Sequence, residues 1–169
     1  MKRLSPLKAL PTALLAVVAI TLSACGFTPL YGPETVTRGL GSIDVVAPEG
    51  RVGYLLREKL DDALARNVNL LPTHRLVYTV KEQRYARGVR VDNVANRYEL
   101  NLKADWKLFD TKTGQQVRSG QADASVTYDS ADQPYASIAS QQDSQERAAA
   151  EVARKIQLDL AAWLAGKAS

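Results

Sequence analysis

Residues 98–108, YELNLKADWKL, alternate without a break: Tyr98, Leu100, Leu102, Ala104, Trp106 and Leu108 fall on one side of an extended chain, and Glu99, Asn101, Lys103, Asp105 and Lys107 on the other. Successive side chains of a strand point to opposite faces, so the pattern predicts a strand with one face in a core and the other in water. The segment DTKTG at 110–114 reads as a hairpin turn. A further strand then returns to about Tyr128, with Ala122, Ala124, Val126 and Tyr128 inward. Val117 is out of phase with that set, and a bulge near Gly120 would reconcile it.

Upstream, HRLVYTVKEQRY at 74–85 predicts another strand, with Leu76, Tyr78 and Val80 alternating against Val77, Thr79 and Lys81. Two turns could join it to the 98–108 strand, one at Arg87 and Gly88, the other at Asp92 and Asn93. Earlier still, Ile43 to Val46 reads as a short strand closed by Pro48, Glu49 and Gly50. Between these strands, Val52, Leu55, Leu56, Leu60, Ala63 and Leu64 recur at helical spacing, predicting an amphipathic helix from Val52 to about Asn67. After a polar loop, one long helix is predicted from about Tyr135 to Leu164, with Ala149, Val152, Ile156, Leu160, Trp163 and Leu164 as its stripe and Gly166 as its stop. Its first half, SIASQQDSQERAAA, has few apolar anchors and could project past the sheet or pack weakly.

Strands with one polar face and helices with one apolar stripe pack most economically as two layers. The expected fold is α+β, with two helices on one face of a four-stranded, mostly antiparallel sheet, which becomes mixed if the first strand pairs in parallel through its helical crossover. At 169 residues the chain suits one such domain.

The first two dozen residues stand apart. Lys2, Arg3 and Lys8 precede an apolar run from Ala9 to Leu22 that Pro11 interrupts, and Ser23 and Ala24 close it. This is the layout of a secretory signal peptide, and the run is short of the roughly 20 apolar residues that a retained spanning helix needs. Residues 1–24 are therefore expected to be cleaved, residues 25–41 to form a lipidated tether, and residues 42–169 to form the domain. Residues 1–24 hold three of the 22 basic residues and none of the 18 acidic ones, which leaves 19 against 18 in the mature chain. A nucleic-acid partner is not expected, because no domain-wide basic excess remains to neutralise a phosphate backbone.

Cys25 is the single cysteine, so no intramolecular disulfide is available. With Leu22, Ser23 and Ala24 it forms a lipobox directly behind the signal, the position that processing requires for attachment of diacylglycerol and an N-acyl chain. Several acyl chains hold a protein firmly where one alone does not. Gly26, in place of an aspartate, favours the outer membrane by the bacterial sorting rule. The following stretch, GFTPLYGPETVTRGLG at 26–41, shows no sustained period and reads as a tether. Within it Phe27, Leu30 and Tyr31 could dock on a partner or be incidental to a spacer.

Reactive constellations are missing from the sequence. His74 is the only histidine and has no second histidine or carboxylate cluster at metal-ligand spacing, so it reads as an ordinary surface or edge residue. No metal and no cofactor is expected beyond the acyl chains. The pattern points to a binder or scaffold and not to an enzyme. One region is locally basic: Lys81, Arg84, Arg87, Arg90 and Arg97 surround the turn between the second and third strands, opposed by Glu82, Asp92 and Glu99. Its arginines could grip the phosphates of an anionic glycolipid, or the cluster could blunt a strand edge against aggregation.

The octet CGFTPLYG at 25–32 resembles the N-terminal signature of the lipopolysaccharide-assembly lipoprotein family, LptE. The hairpin RYELNLKADWKLFDTKTGQQVRSGQADASVTYD, Tyr135 and the closing helix SQERAAAEVARKIQLDLAAWL are similar to those of alphaproteobacterial members. The resemblance implies a non-enzymatic outer-membrane lipoprotein on the periplasmic side, its helices packed on a four-stranded sheet. It also implies a seat inside an LptD-type β-barrel that the protein plugs and helps to assemble, with lipopolysaccharide as ligand. Only Cys25 carries over as a specific residue. Arg84, Arg87, Arg90 and Arg97 as lipopolysaccharide contacts follow from charge alone. Other readings are a free-standing periplasmic carrier or chaperone for a lipid or lipoprotein, which requires an apolar cavity between sheet and helices, and a peptidoglycan-binding lipoprotein, whose local motif is missing.

Overall fold

The computed structural model describes residues 34–89, 95–130 and 133–168. Cys25 and the leader, with Phe27, Leu30, Tyr31, Arg90, Asp92 and Asn93, lie outside the described residues. In chain order the elements are α1 (Glu34–Gly41), β1 (Ile43–Val46), α2 (Arg51–Ala63), β2 (His74–Val89), β3 (Ala95–Asp110), β4 (Gln116–Asp129) and α3 (Pro134–Ala168). The sheet order is β1-β2-β3-β4, with β1 parallel to β2 through the α2 crossover and the other pairs antiparallel. The expected α+β architecture with a mixed four-stranded sheet is observed, with one helix more than the sequence pattern shows.

That extra helix is α1. The last eight residues of the expected tether, ETVTRGLG, are helical, with Val36 and Leu40 buried in the core. Too few apolar positions, set among glycines, hide the helix in the sequence. Packing stabilises it instead: a Cβ on Gly39 would lie 3.0 Å from the Leu164 side chain of α3, so the missing side chain lets the two helices approach closely.

The base of the domain is closely tied together. Ser42 and Thr73 hydroxyls meet at 2.7 Å, the Thr73 amide donates to the Ser42 carbonyl, and the Asn67 amide donates to the Gly41 carbonyl. The helix α2 starts where Gly50 turns the chain with φ of 104°. Its Gly53 sits so close to Pro48 that a Cβ would approach the Pro48 carbonyl oxygen to 2.5 Å. The Tyr78 hydroxyl of β2 donates to the Gly53 carbonyl at 2.8 Å, and burial raises the phenol above its ordinary pKa. The helix ends at Ala63, short of Asn67. Ala65 takes the left-handed conformation with φ of 49°, and the Ala65 and Arg66 amides donate back to the carbonyls of Asp62 and Asp61 in a Schellman closure.

Alternation along the strands is as the sequence predicts. Leu76, Tyr78, Leu100, Leu102, Ala104, Trp106, Leu108, Ala122, Ala124 and Val126 are buried, whereas Thr79, Lys81, Lys103, Asp105, Lys107 and Asp123 stand exposed on the opposite face. The turn after β3 is held by Asp110, whose Oδ1 accepts from the amides of Lys112 and Thr113 at 2.8 and 2.9 Å. Gly114 supplies the positive φ the turn needs, 70°. The bulge of β4 lies at Val117 and not at Gly120: Leu108 pairs with Arg118 and Phe109 with Gln116, leaving Val117 as the extra residue. Gly120 has a different task. A Cβ there would lie 2.6 Å from the Trp106 indole, so the glycine is the seat of that ring.

The helix α3 runs beside the strands for their full height. Its 35 residues span roughly 50 Å at about 1.5 Å each, and the 16 residues of β2 span roughly 50 Å at about 3.3 Å each. Its apolar stripe is Ala148, Ala149, Val152, Ile156 and Leu160, all buried. Gly166 does not stop it; a lone glycine weakens a helix by only about 1 kcal/mol, and Lys167 lies 4.5 Å over the Trp163 ring one turn earlier. Among the described residues no helix is long and apolar enough to cross a membrane.

Candidate functional site

The upper halves of β2 and β3 extend well past the four-residue β1, which pairs only with His74 to Val77. Above Tyr78, which still reaches Gly53 of α2, the sheet is backed by α3, whose first half covers the far end where the basic residues gather. Strand parity decides where each one points.

Arg84 is in phase with Leu76, Tyr78 and Val80 and so lies on the helix side of the sheet. It donates to the Gln141 Oε1 of α3 at 2.9 Å and to the Tyr128 hydroxyl at 3.4 Å, and its guanidinium lies 5.0 Å over the Tyr98 ring. Tyr98 and Tyr128 stack with centroids 5.6 Å apart. One turn along α3, the buried Gln145 amide donates to both carboxylate oxygens of Glu82, at 3.1 and 2.9 Å. The first half of α3 therefore packs on the hairpin through side-chain amides and does not project.

Arg87 and Arg97 belong to the open face. A register shift between Ala86 and Gly88 turns the strand there. The Arg87 Nε lies 2.6 Å from Glu99 Oε2, which together with the Ser125 hydroxyl holds the Glu99 carboxyl below its ordinary pKa. The Arg97 Nε donates to Asp129 at 2.8 Å. Lys81 faces Lys103 across the β2–β3 pair, and both border a shallow cleft with Gln83, Asn101, Asp123 and Ser125. Arg90 is outside the described residues. The expected cluster is thus divided: Arg87 and Arg97 share one face, and Arg84 is held on the other.

Sequence reasoning missed Lys103, Gln141 and Gln145. The glutamines had a signal, for Gln141 and Gln145 continue the stripe of Ala148, Val152 and Ile156 at spacings of three and four. The strand described as HRLVYTVKEQRY runs on through Arg87 and Gly88 to Val89, so the turn is not at that pair; the Asp92 and Asn93 alternative lies outside the described residues.

His74 behaves as part of the scaffold. It sits at the base, edge-on to Trp163 at 5.4 Å between centroids, with Nδ1 2.9 Å from the Thr73 hydroxyl. Burial, with Lys167 nearby, holds its imidazole below the ordinary value. Among the described residues no cluster of histidine, cysteine, aspartate or glutamate could hold a metal ion.

These contacts define a class: a two-layer α+β domain with a filled interior, one open polar sheet face and, among the described residues, exposed arginine–carboxylate pairs at the far end of the β2–β3 hairpin. Residues 40–160 match the profile of the LptE lipopolysaccharide-assembly family, and the chain belongs to that family. A crystal structure of a candidate lipoprotein from Caulobacter crescentus CB15 is 66% identical with a TM-score of 0.69, the match covering 78% of this chain and 96% of that one. The solution structure of lipoprotein B from Nitrosomonas europaea is 14% identical with a TM-score of 0.50, over 73% of this chain and 86% of that one, and shares the fold. No curated protein matches the chain.

Proposed function

We propose that this chain is a non-catalytic outer-membrane lipoprotein that plugs and helps assemble an LptD-type β-barrel, and that its hairpin tip takes the phosphates of lipopolysaccharide. The observation that carries this reading is the family match over residues 40–160, which places the protein in lipopolysaccharide assembly. Cys25, acylated with diacylglycerol and an N-acyl chain, holds the domain to the periplasmic side of the outer membrane. Among the described residues, the mixed-charge open face of Lys81, Lys103, Asp105, Lys107 and Asp123 suits the polar lumen of such a barrel.

At the tip, Arg87 and Arg97 are partnered, yet their ion pairs are exposed, with 54% and 58% of the two side chains accessible. Surface pairs of this kind contribute little, so an incoming phosphate can replace Glu99 or Asp129 and gain a forked, charge-assisted contact. The carrier reading is disfavoured by the interior. The space it needs between sheet and helices is filled by Leu56, Leu60, Leu76, Trp106, Ile156 and Leu160, each no more than 2% exposed.

Binding of lipopolysaccharide to the purified full-length protein tests the tip. Replacing Arg87 and Arg97 by alanine is expected to weaken binding by about tenfold per arginine with little change in thermal stability. Equal affinity in the double variant would return the arginines to the role of edge protection.

A further inference from the structure

The opposite end of the domain carries a feature that the barrel-plug reading does not use. Between α2 and β2 the chain runs NVNLLP, residues 67–72, and it leaves Val68 81% and Leu71 89% exposed. These are among the most exposed large apolar side chains described, and they sit on a loop that is pinned at several points. The Asn67 amide is held by the Gly41 carbonyl, the Asn69 amide donates to Asn67 Oδ1 at 3.0 Å, and the Leu70 amide to the Asn67 carbonyl at 3.0 Å. Beyond Leu71, the Thr111 hydroxyl donates to the carbonyls of Pro72 and Thr73 at 2.8 and 2.9 Å. A loop so fixed cannot readily fold its aliphatic groups away from water, and both Val68 and Leu71 are left exposed.

Its position identifies the occupant. Leu70 and Asn67 line one cleft with Glu34, Thr37 and Arg38 of α1, so the loop lies where the described chain begins. Cys25 is nine residues before Glu34, a reach of at most roughly 30 Å. Around the same end stand Lys112, in the turn tied to Thr73, and Lys167 over the Trp163 ring. Val68 borders Arg57, Asp61, Asp62 and Arg66 of α2 and its closing turn. Exposed aliphatic side chains ringed by charged residues, within reach of an acylated N-terminus, suit the interface of a bilayer.

We propose that the 67–71 loop inserts Val68 and Leu71 into the lipid interface beside the anchor, so that the base of the domain is held on the membrane at two points. The inference rests on the reading of Cys25 as acylated.

With Cys25 blocked by its lipid, Leu71→Cys provides a single thiol for an environment-sensitive fluorophore in the mature, membrane-extracted protein. Gln121→Cys, exposed on the open sheet face, serves as the reference site. In vesicles of phosphatidylethanolamine and phosphatidylglycerol, the label at 71 is expected to shift to the blue and to be quenched by nitroxide-bearing lipid, while the label at 121 stays in water. If both proteins float with the vesicles but the label at 71 also stays in water, the insertion is overturned and the anchor stands. Burial of the label only after barrel protein is added assigns the loop to a protein partner and likewise overturns it. Failure of both labelled proteins to float overturns the anchor reading and the insertion together.

Discussion

At the base of the domain, Val36, Leu40, Ile43, Leu60, Leu76, Leu108 and Leu160 from all three helices and three of the strands exclude water. At the tip, three strands and half a helix meet largely through Arg84, Glu82, Gln141, Gln145 and the stacked Tyr98 and Tyr128, with Leu100 and Val126 the apolar residues beside them. Apolar burial is non-directional and accumulates with area, whereas a polar contact in the folded protein replaces one with water and gains little. Stability therefore resides at the base. The tip can exchange partners without unfolding the molecule, as the proposed binding of an anion there would require.

The largest effect expected from this division is at the base. Leu60→Ala empties a fully buried position and is expected to lower stability by about 2–5 kcal/mol in urea denaturation. A loss below about 1 kcal/mol would mean that the two ends do not differ as described. At the tip, Gln145→Ala leaves the Glu82 carboxylate without its amide donor and is expected to cost about 1 kcal/mol, and the Glu82→Ala, Gln145→Ala double variant less than the sum of the singles. Strict additivity would show that the pair is not coupled.

The smallest effect concerns pH. His74 is the only histidine, and its folded value is lowered by burial and by Lys167. The unfolded chain therefore takes up a proton first as pH falls below about 6.5, and stability is lost from there down to the lower folded value. His74→Asn is expected to narrow the difference in melting temperature between about pH 7.5 and 5.5. An unchanged difference would place the titration elsewhere.

How far the sequence could be read follows the same division. Strict alternation in YELNLKADWKL and helical spacing in Val152, Ile156 and Leu160 report apolar burial directly, so the strands, the two larger helices and the core were legible. The helix α1 was not, because Val36 and Leu40 alone make no period and its stability comes from contacts with α3. The bulge at Val117 was visible only as a phase error, and Gly120 was the wrong explanation because its absent side chain makes room for Trp106. At the tip, counting charges grouped Arg84 with Arg87 and Arg97. Parity along β2 separates them, since Arg84 shares the phase of Leu76 and Tyr78.

The proposed place of this protein is inside a partner, and that is where it can be tested most directly. Native acylated protein is captured from detergent-solubilised outer membranes and the recovered material weighed. Recovery of a large β-barrel protein in near one-to-one amount is the predicted result; recovery of the lipoprotein by itself, under conditions that preserve other outer-membrane complexes, would contradict it.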